Sequence, residues 1–220
     1  MALQNLPIGI QNFEKIRNDG YLYVDKTEIV YRLATSGSYY FLSRPRRFGK
    51  SLLLSTLHAY FEGKRELFEG LAVSRLETKW EQHPVLHLDL NTEKYESPEA
   101  LDNILNDTLA QWEGLYGSAP TEVSLSLRFA GVIRRACEQT GHRVVILVDE
   151  YDKPMLQAIG NEALQDAYRS TLQSFYSALK TCDGYIRFAM LTGVTKFGKL
   201  SVFSSLNSLN DISMDWQFHG

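Results

Sequence analysis

The chain has 220 residues, of which 44% are hydrophobic and 22% charged, and its formal net charge is -3. This is the composition of a one-domain globular protein, so it excludes disordered, fibrous and low-complexity chains. The nearly neutral charge gives no support to bulk binding of nucleic acid, and the longest aliphatic run, residues 144–148, is far too short to cross a bilayer. Because the N-terminus also lacks a signal-peptide pattern, we expect a cytoplasmic protein with no membrane partner.

The first half of the chain contains two short runs that are typical of strands, residues 21–24 and 39–42. The first run belongs to a mixed stretch, 3–30, with a turn signal before it. A basic turn follows the second run, and the pattern then predicts a helix over 51–61. Gly63 is the expected C-terminal cap of that helix.

The second half alternates predicted strands with predicted helices. Strands are predicted at 85–90, 144–148 and 186–191, and helices start at Ser97, cover 126–140 and cover 164–179. The run 144–148 has no polar alternation, which is typical of a central parallel strand buried on both faces. The sequence therefore predicts an α/β fold with a mostly parallel central sheet.

The clearest chemical signal lies in the basic turn between a predicted strand and a predicted helix. Residues 44–51 read R-P-R-R-F-G-K-S, which is close to the phosphate-binding pattern G-x-x-x-x-G-K-[ST]. A basic surface turn with solvated arginines is the alternative interpretation. The predicted nucleotide-binding residues are Arg44, Pro45, Arg46, Arg47, Phe48, Gly49, Lys50, Ser51 and Leu52.

Each part of this pattern has a physical role in binding a triphosphate. Gly49 would let the backbone approach phosphate closely, so that successive N–H groups and the helix N-terminus bind the anion. Lys50 would reach the β- and γ-phosphate oxygens, and the Ser51 hydroxyl would ligate Mg²⁺. Arg44 stands where the pattern has its first glycine, which predicts a variant loop, and its guanidinium could offset the lost glycine by contacting phosphate.

An acidic pair, Asp149 and Glu150, ends the apolar run 144–148. An apolar strand that ends in Asp-Glu is typical of a Walker B motif, in which Asp149 would hold Mg²⁺ and Glu150 would polarise the attacking water. A strand whose acidic end only faces solvent is the alternative. Asp152 and Lys153, just beyond, are predicted to be a structural or loop pair rather than catalytic residues.

Thr192 ends the predicted strand 186–191. In P-loop ATPases that carry a catalytic glutamate after the Walker B aspartate, the neighbouring strand ends in a polar residue near the γ-phosphate. Thr192 is predicted to fill this role, with Thr195 as a substitute. The chain has no serine-hydrolase elbow, dinucleotide fingerprint or cluster of zinc ligands. The predicted catalytic residues are Lys50, Glu150 and Thr192, and the predicted metal ligands are Ser51 and Asp149.

Several segments taken together resemble a known family. They are residues 6–10, 21–27, 44–54, 61–63, 148–154 and 191–197. They look like the bacterial AAA-ATPase-like family, in which the phosphate loop has the same R-P-R-R-F-G-K-S sequence, so Arg44 is usual there. The resemblance covers about residues 6–212 and implies a three-layer, ASCE-type P-loop NTPase fold that binds ATP. It also implies that Lys50, Ser51, Asp149 and Glu150 occupy the ATP site.

The resemblance also suggests a domain organisation. We expect residues 1–220 to form one AAA-ATPase-like P-loop domain, with segment 1–35 packing on the core. Many relatives continue into a helical lid and a nuclease-like domain of the PD-(D/E)XK type, and we expect this chain, which stops at Gly220, to lack both. Loss of a lid would affect turnover more than binding, because lid closure excludes water.

These observations leave a ranked set of functions. The leading hypothesis is an ATP-binding domain with Mg²⁺-dependent hydrolysis. The alternative is a non-catalytic, nucleotide-dependent switch or protein-interaction module, and a homo-oligomer or a protein partner stays open with either. A nucleic-acid partner for the loop arginines has less support, because a triphosphate accounts for their charge.

Overall fold

The computed structural model describes residues 4–92, 94–196, 202–203 and 209–215. Phe197, the last residue of segment 191–197, lies outside the described residues, as do residues 1–3 and 216–220 of the predicted domain. No helix in the described ranges is both long enough and apolar enough to span a membrane. The elements in chain order are α1 (Phe13–Asn18), α2 (Thr27–Ser36), β1 (Tyr39–Ser43), α3 (Lys50–Phe61), a 3₁₀ helix (Arg65–Phe68), α4 (Val73–Leu76), β2 (Val85–Asp89), α5 (Pro98–Tyr116), α6 (Leu125–Thr140), β3 (Val144–Asp149), α7 (Lys153–Gln157), α8 (Glu162–Thr181), a second 3₁₀ helix (Asp183–Tyr185), β4 (Ile186–Gly193) and β5 (Asn210–Asp211).

The strands form one all-parallel, five-stranded sheet in the order β2-β3-β4-β1-β5. β4 lies between β1 and β3, and the register pairs Leu42 with Thr192 and Asp89 with Asp149. The carboxyl ends of β1 to β4 therefore meet at one edge, which is where open α/β sheets bind ligands. The predicted α/β class is confirmed, and the architecture is consistent with a P-loop NTPase-like fold.

Helices cover both faces of the sheet because alternate strand residues point to opposite sides. On one face, Phe41 and Ile146 pack in a core with residues of α5, α6 and α8. On the other face, Tyr40 and Leu147 pack with residues of α1, α2 and α3. β3 is buried at every position, as the continuous apolar run predicted. The result is the predicted three-layer sandwich.

Local signals fix the ends of the long helices. The side chain of Ser124 accepts a hydrogen bond from the backbone N–H of Leu127 at the start of α6, and Asn161 does the same for Leu164 at the start of α8. α6 ends at Gly141, whose φ of +72° gives the left-handed cap that glycine adopts most easily. Both helices therefore begin where the sequence provides a cap, and α6 also ends at one.

The predicted strand at 21–24 is wrong. These residues belong to no strand in the described part of the chain, and the Tyr23 ring packs edge-on against Phe13 with centroids 5.1 Å apart. The apolar run reflects burial of this aromatic side chain rather than strand pairing. The mixed stretch around it contains α1 and the start of α2, which the apolar pattern does not predict. The other predicted strands and helices correspond to β1, α3, β2, α5, α6, β3, α8 and β4.

The segment before β1 is held to the core by buried side chains and by one carboxylate. Phe13, Val30 and Leu33 are fully buried. Asp25 accepts hydrogen bonds from the N–H and hydroxyl of Thr27 and from the N–H of Ala72, at 2.7 to 2.8 Å. Asp25 therefore joins the start of α2 to the start of α4.

Candidate nucleotide site

Residues 44–49 form a loop between the end of β1 and the start of α3. Gly49 has a φ of +75°, in the left-handed region that glycine enters without strain. Arg47 also has a positive φ, 68°, which costs a residue with a Cβ about 1–2 kcal/mol. The Arg44 N–H donates to the Gly193 carbonyl at 3.1 Å and so attaches the start of the loop to the end of β4.

The backbone N–H groups from Arg46 to Leu52 have no acceptor among the described residues. Some of them lie in the loop and the others in the first turn of α3, where the helix geometry leaves N–H groups unpaired. Among the described residues, a neighbouring strand accepts a hydrogen bond from the Arg44 amide but from no other amide of this region. A row of unpaired amides at the start of a helix is a binding site for an anion.

The Lys50 side chain is 4% exposed and lies under the loop. Its Nζ donates to the carbonyl of Arg44 at 3.0 Å and to that of Pro45 at 3.3 Å. The same atom lies 3.3 Å from Oε1 of Glu150. The ammonium therefore joins the loop to the acidic end of β3.

The acidic pair follows directly from the end of β3. Asp149 is 5% exposed, and its Oδ1 accepts from the Thr192 hydroxyl at 2.5 Å and from the Glu150 N–H at 3.1 Å. Glu150 has a φ of 53°, a left-handed backbone that is strained for glutamate. Its carboxylate is thereby placed against Lys50 rather than along the strand.

The electrostatics of Glu150 differ from those of a solvent-exposed carboxylate. Burial raises the pKa of Glu150, the nearby ammonium of Lys50 opposes the rise, and the charges of Asp149 and Asp152 add to it. Glu150 therefore holds a proton more readily than an exposed glutamate does. A carboxylate with a raised pKa is a stronger base, which suits proton abstraction from water.

Direct contacts in the structure join Lys50 to Glu150 and Asp149 to Thr192. Thr195, the substitute for Thr192, donates its hydroxyl to Asp152 instead, at 2.8 Å. The remaining predicted site residues lie in the loop or the first turn of α3. They are Pro45, Arg46, Arg47, Phe48, Gly49, Ser51 and Leu52, and no side-chain hydrogen bond joins them to the acidic pair in the described part of the chain.

The donor set fits a magnesium ion. Ser51 begins α3 beside Lys50, and Asp149 has its Oδ2 without a hydrogen-bond partner among the described residues. Both would offer oxygen ligands, which Mg²⁺ prefers. In the described ranges, no group of three or more His, Cys, Asp or Glu side chains forms a complete metal cage. Mg²⁺ commonly takes one or two protein oxygens and completes its coordination with substrate phosphates and water.

An apolar cavity of about 500 Å³ opens beside the loop. Its walls come from the segment before α2, from α2, from the loop and from α3, including Leu6, Tyr23, Val30, Phe48 and Leu53. Arg44 also lines it, and the buried Nε of Arg44 has no hydrogen-bond partner among the described residues. The cavity was not predicted, because its walls are separate in sequence.

The predicted pairing of Asp152 with Lys153 is wrong. The Lys153 ammonium donates to the carbonyl of Asn91 at 2.6 Å and to its side-chain oxygen at 3.1 Å. Asp152 is fully buried and accepts hydrogen bonds from Val194 and Thr195 instead. Side chains that are adjacent in sequence at the start of a helix point in different directions, so adjacency in the sequence does not predict an ion pair here.

Comparisons with known proteins agree with this geometry. The sequence model of a family described as "Predicted AAA-ATPase" matches residues 7–203. An "Uncharacterized protein in vnfD 5'region" from Azotobacter chroococcum mcd 1 is 44% identical over 222 aligned residues, which cover 99% of this chain. The chain spans 42% of the length of that relative. No solved structure matches the chain.

Proposed function

The chain belongs to the AAA-ATPase-like family, and we propose that it binds ATP with Mg²⁺ at residues 44–52 and hydrolyses the terminal phosphate. The observation that carries this proposal is the buried Lys50 ammonium, 3.3 Å from Glu150 and next to a row of unpaired amides. A cation and free N–H donors on one side, with carboxylates on the other, are the parts that phosphoryl transfer needs. A cytoplasmic location and an oligomeric or protein partner stay predictions.

Binding would begin with an exchange of partners at Lys50. Within the described residues its ammonium has one carboxylate neighbour, Glu150, and two carbonyl acceptors. The phosphates of ATP carry more negative charge than a single carboxylate, so we expect Lys50 to turn to the β- and γ-phosphate oxygens. The amides from Arg46 to Leu52 would bind the remaining phosphate oxygens.

The exchange would leave Glu150 available as the general base. In the hydrolytic step, the oxygen of a water attacks the γ-phosphorus while Glu150 takes one proton from that water. The bond from the γ-phosphorus to the bridging oxygen breaks, and ADP leaves with the electron pair. Lys50 stabilises the charge that develops on the phosphate oxygens.

Asp149 and Ser51 would hold the metal ion. When bound, Mg²⁺ would withdraw charge from the β- and γ-phosphate oxygens. Thr192 donates to Oδ1 of Asp149, so Oδ2 would be the oxygen that ligates the metal. A second residue that orients a metal ligand commonly matters for metal affinity.

The apolar cavity would take the base and ribose of the nucleotide. It adjoins Gly49 and Phe48 on the side of the loop that carries Arg44. Its volume of about 500 Å³ is in the range of small-molecule sites, and its walls are mostly aliphatic and aromatic. The unpaired Arg44 Nε supplies a donor for a polar atom of the nucleotide.

Calorimetric titration of ATP with Mg²⁺ into wild type and Lys50→Ala tests the binding proposal. We expect the variant to bind about 100-fold more weakly, because it loses a buried cation that faces phosphate. Lys64→Ala is the control, since Lys64 follows the far end of α3 and pairs with Glu14 and Glu62. Equal affinity of Lys50→Ala and wild type would refute the assignment of the loop.

A nucleotide-dependent switch is the second candidate, and the Lys50–Glu150 contact favours it. Nucleotide would break this contact and free the acidic turn, so binding alone would change the conformation at the end of β3. A turnover assay separates the two functions. Binding without turnover would support the switch, whereas steady phosphate release by the purified chain would eliminate it.

A further inference from the structure

We propose that Asp152 is a positioning residue of the nucleotide site, which fixes the end of β4 and, through it, both Thr192 and the start of the phosphate loop. The inference rests on the proposed function for its catalytic consequence. Asp152 lies three residues after Asp149 and touches neither Lys50 nor the loop through any hydrogen bond of the described chain. Its charge contributes to the raised pKa of Glu150, whereas its effect on the positions of Thr192 and the loop passes through residues 193–195.

Among the described residues, the side-chain hydrogen bonds of Asp152 all go to the segment after Thr192. Its Oδ2 accepts from the Thr195 N–H at 2.7 Å, from the Thr195 hydroxyl at 2.8 Å and from the Val194 N–H at 3.1 Å. Its Oδ1 lies 3.2 Å from the same Val194 nitrogen. Asp152 thus binds consecutive amides in the way that a carboxylate caps a helix.

Because Asp152 is buried, its carboxylate depends on the donors of residues 194–195. Asp152 has no exposed surface, and no cation lies within ion-pair distance among the described residues. A buried carboxylate without a cation is stabilised only by the N–H and O–H donors that face it, and it is costly when they are displaced. The segment 194–195 is therefore held in one position relative to the acidic turn.

Gly193 shows how closely the two parts approach. A Cβ added at Gly193 would lie 2.5 Å from a ring carbon of Tyr151 and 2.7 Å from Oδ1 of Asp152. The Tyr151 N–H also donates to the Thr192 carbonyl at 2.9 Å. The turn after β3 is therefore packed directly on the last residues of β4, with no space for a side chain between them.

The same segment holds the phosphate loop from its other side. The carbonyl of Gly193 accepts from the Arg44 N–H at 3.1 Å, and that of Val194 accepts from the Ser43 hydroxyl at 3.2 Å. Residues 193–195 are consequently bonded to Asp152 on one side and to the first residue of the loop on the other. Thr192, the residue before them, orients Asp149.

This connection gives Asp152 a defined effect. Loss of its acceptors would free residues 194–195, lengthen the Arg44–Gly193 hydrogen bond and turn the Thr192 hydroxyl away from Asp149. Mg²⁺ binding should weaken more than phosphate binding, because no hydrogen bond in the described part of the chain joins the Lys50 ammonium or the first-turn amides of α3 to residues 193–195. The predicted signature is therefore a rise in the Mg²⁺ requirement with little change in Mg²⁺-free nucleotide affinity.

Asp152→Asn tests the proposal, with Asp166→Asn as the control, because Asp166 is exposed and pairs only with Arg169 on α8 in the described chain. Amide hydrogen exchange by NMR needs no nucleotide. We expect faster exchange at Val194, Thr195 and Arg44 in Asp152→Asn and no change in Asp166→Asn. Faster exchange at residues 194–195 with an unchanged exchange rate at the Arg44 amide would overturn the connection to the loop.

Titration of Mg²⁺ at a fixed ATP concentration gives the second readout. We expect Asp152→Asn to need about 10-fold more Mg²⁺ for half-maximal ATP binding, with Mg²⁺-free ATP affinity within about twofold of wild type. An unchanged Mg²⁺ requirement in the folded variant would overturn the positioning role and leave a purely structural one.

If Asp152→Asn does not fold, Thr195→Val is the second variant, because it removes one donor to Asp152 and keeps the carboxylate. We expect its Mg²⁺ concentration for half-maximal ATP binding to rise about threefold. If wild type binds no ATP at all, the proposed function fails, and the exchange at Arg44 alone decides this inference.

Discussion

The Lys50–Glu150 and Arg135–Glu122 ion pairs each join a cation to a partly buried carboxylate, and they are built differently. Lys50 meets Glu150 through one contact of 3.3 Å at the edge of the sheet. Arg135 meets Glu122 through two hydrogen bonds, of 2.6 and 3.0 Å, where α6 packs beside α5. Gly131 leaves the space that Glu122 occupies, since a Cβ there would overlap its carboxylate.

The pKa values of the two carboxylates shift in opposite directions. The hydrogen bonds from Arg135 lower the pKa of Glu122, whereas burial raises the pKa of Glu150 despite the neighbouring Lys50. The fork of an arginine holds a carboxylate in one geometry, but an ammonium is a point charge that can turn to another acceptor. The Arg135–Glu122 pair therefore stabilises the fold, and the Lys50–Glu150 pair suits an exchange of partners.

The largest expected effect is on the rate of phosphate release, which should depend on Glu150 and not on Glu122. Glu150→Gln should lower the rate of phosphate release about 100-fold or more while ATP affinity is retained, because glutamine cannot accept the proton of water. Glu122→Gln is the matched control and should leave the rate unchanged. The measurement is steady-state phosphate release together with titration of ATP. Equal losses in the two variants would contradict the distinction between the pairs.

The second prediction concerns stability. Arg135→Met keeps much of the side-chain volume but removes both hydrogen bonds to Glu122, so the free energy of unfolding should fall by about 2 kcal/mol. ATP affinity should not change, because the contacts of Arg135 are with Glu122, Tyr116 and Gly117. Urea unfolding and a parallel ATP titration measure the two quantities. A variant that kept full stability would show that this pair contributes nothing.

A smaller effect is expected at Thr192. Thr192→Val removes the hydroxyl that donates to Asp149 Oδ1 and keeps the shape of a fully buried side chain. The Mg²⁺ concentration for half-maximal ATP binding should rise about 10-fold. Thr140→Val is the control, since its hydroxyl bonds within its own helix to the Ala136 carbonyl and to His142. A Mg²⁺ requirement that matched wild type would exclude an orienting role for Thr192.

The smallest expected effect is a dependence on pH. The pKa of Glu122 and that of Glu113 are lowered by hydrogen bonds from Arg135 and Arg128. A lowered folded-state pKa means that these carboxylates stabilise the fold fully above the ordinary value of 4.5 and lose this contribution as the pH falls. Urea unfolding between about pH 5 and about pH 3 should show a shallower loss in Glu122→Gln than in wild type. An identical slope would contradict the pairing.

The sequence predicts most of the fold because its strands carry their own signals. The apolar run of β3 is continuous, and the glycine and lysine of the loop stand between a strand and a helix, so their roles follow from local pattern. α1 and α2 escape such prediction because they are short and are stabilised by packing on distant residues. Phe13 against Phe68, with centroids 4.8 Å apart, is one such contact.

The parts of the site that escape prediction depend on contacts across the chain. Asp152 lies 42 residues from Val194, and no local pattern connects them. The left-handed backbone of Glu150 is imposed by the turn after β3, since glutamate has no preference for it. Sequence pattern therefore identifies the chemical groups, whereas the pairing of those groups follows only from the packed sheet edge.

A crystal structure with Mg²⁺ and a non-hydrolysable ATP analogue tests the central claim most directly. We predict that the β- and γ-phosphates lie within hydrogen-bond distance of Lys50 and the amides from Arg46 to Leu52, and that Glu150 no longer contacts Lys50. Phosphates bound elsewhere, or a Lys50–Glu150 contact that persists beside a bound triphosphate, would contradict the account.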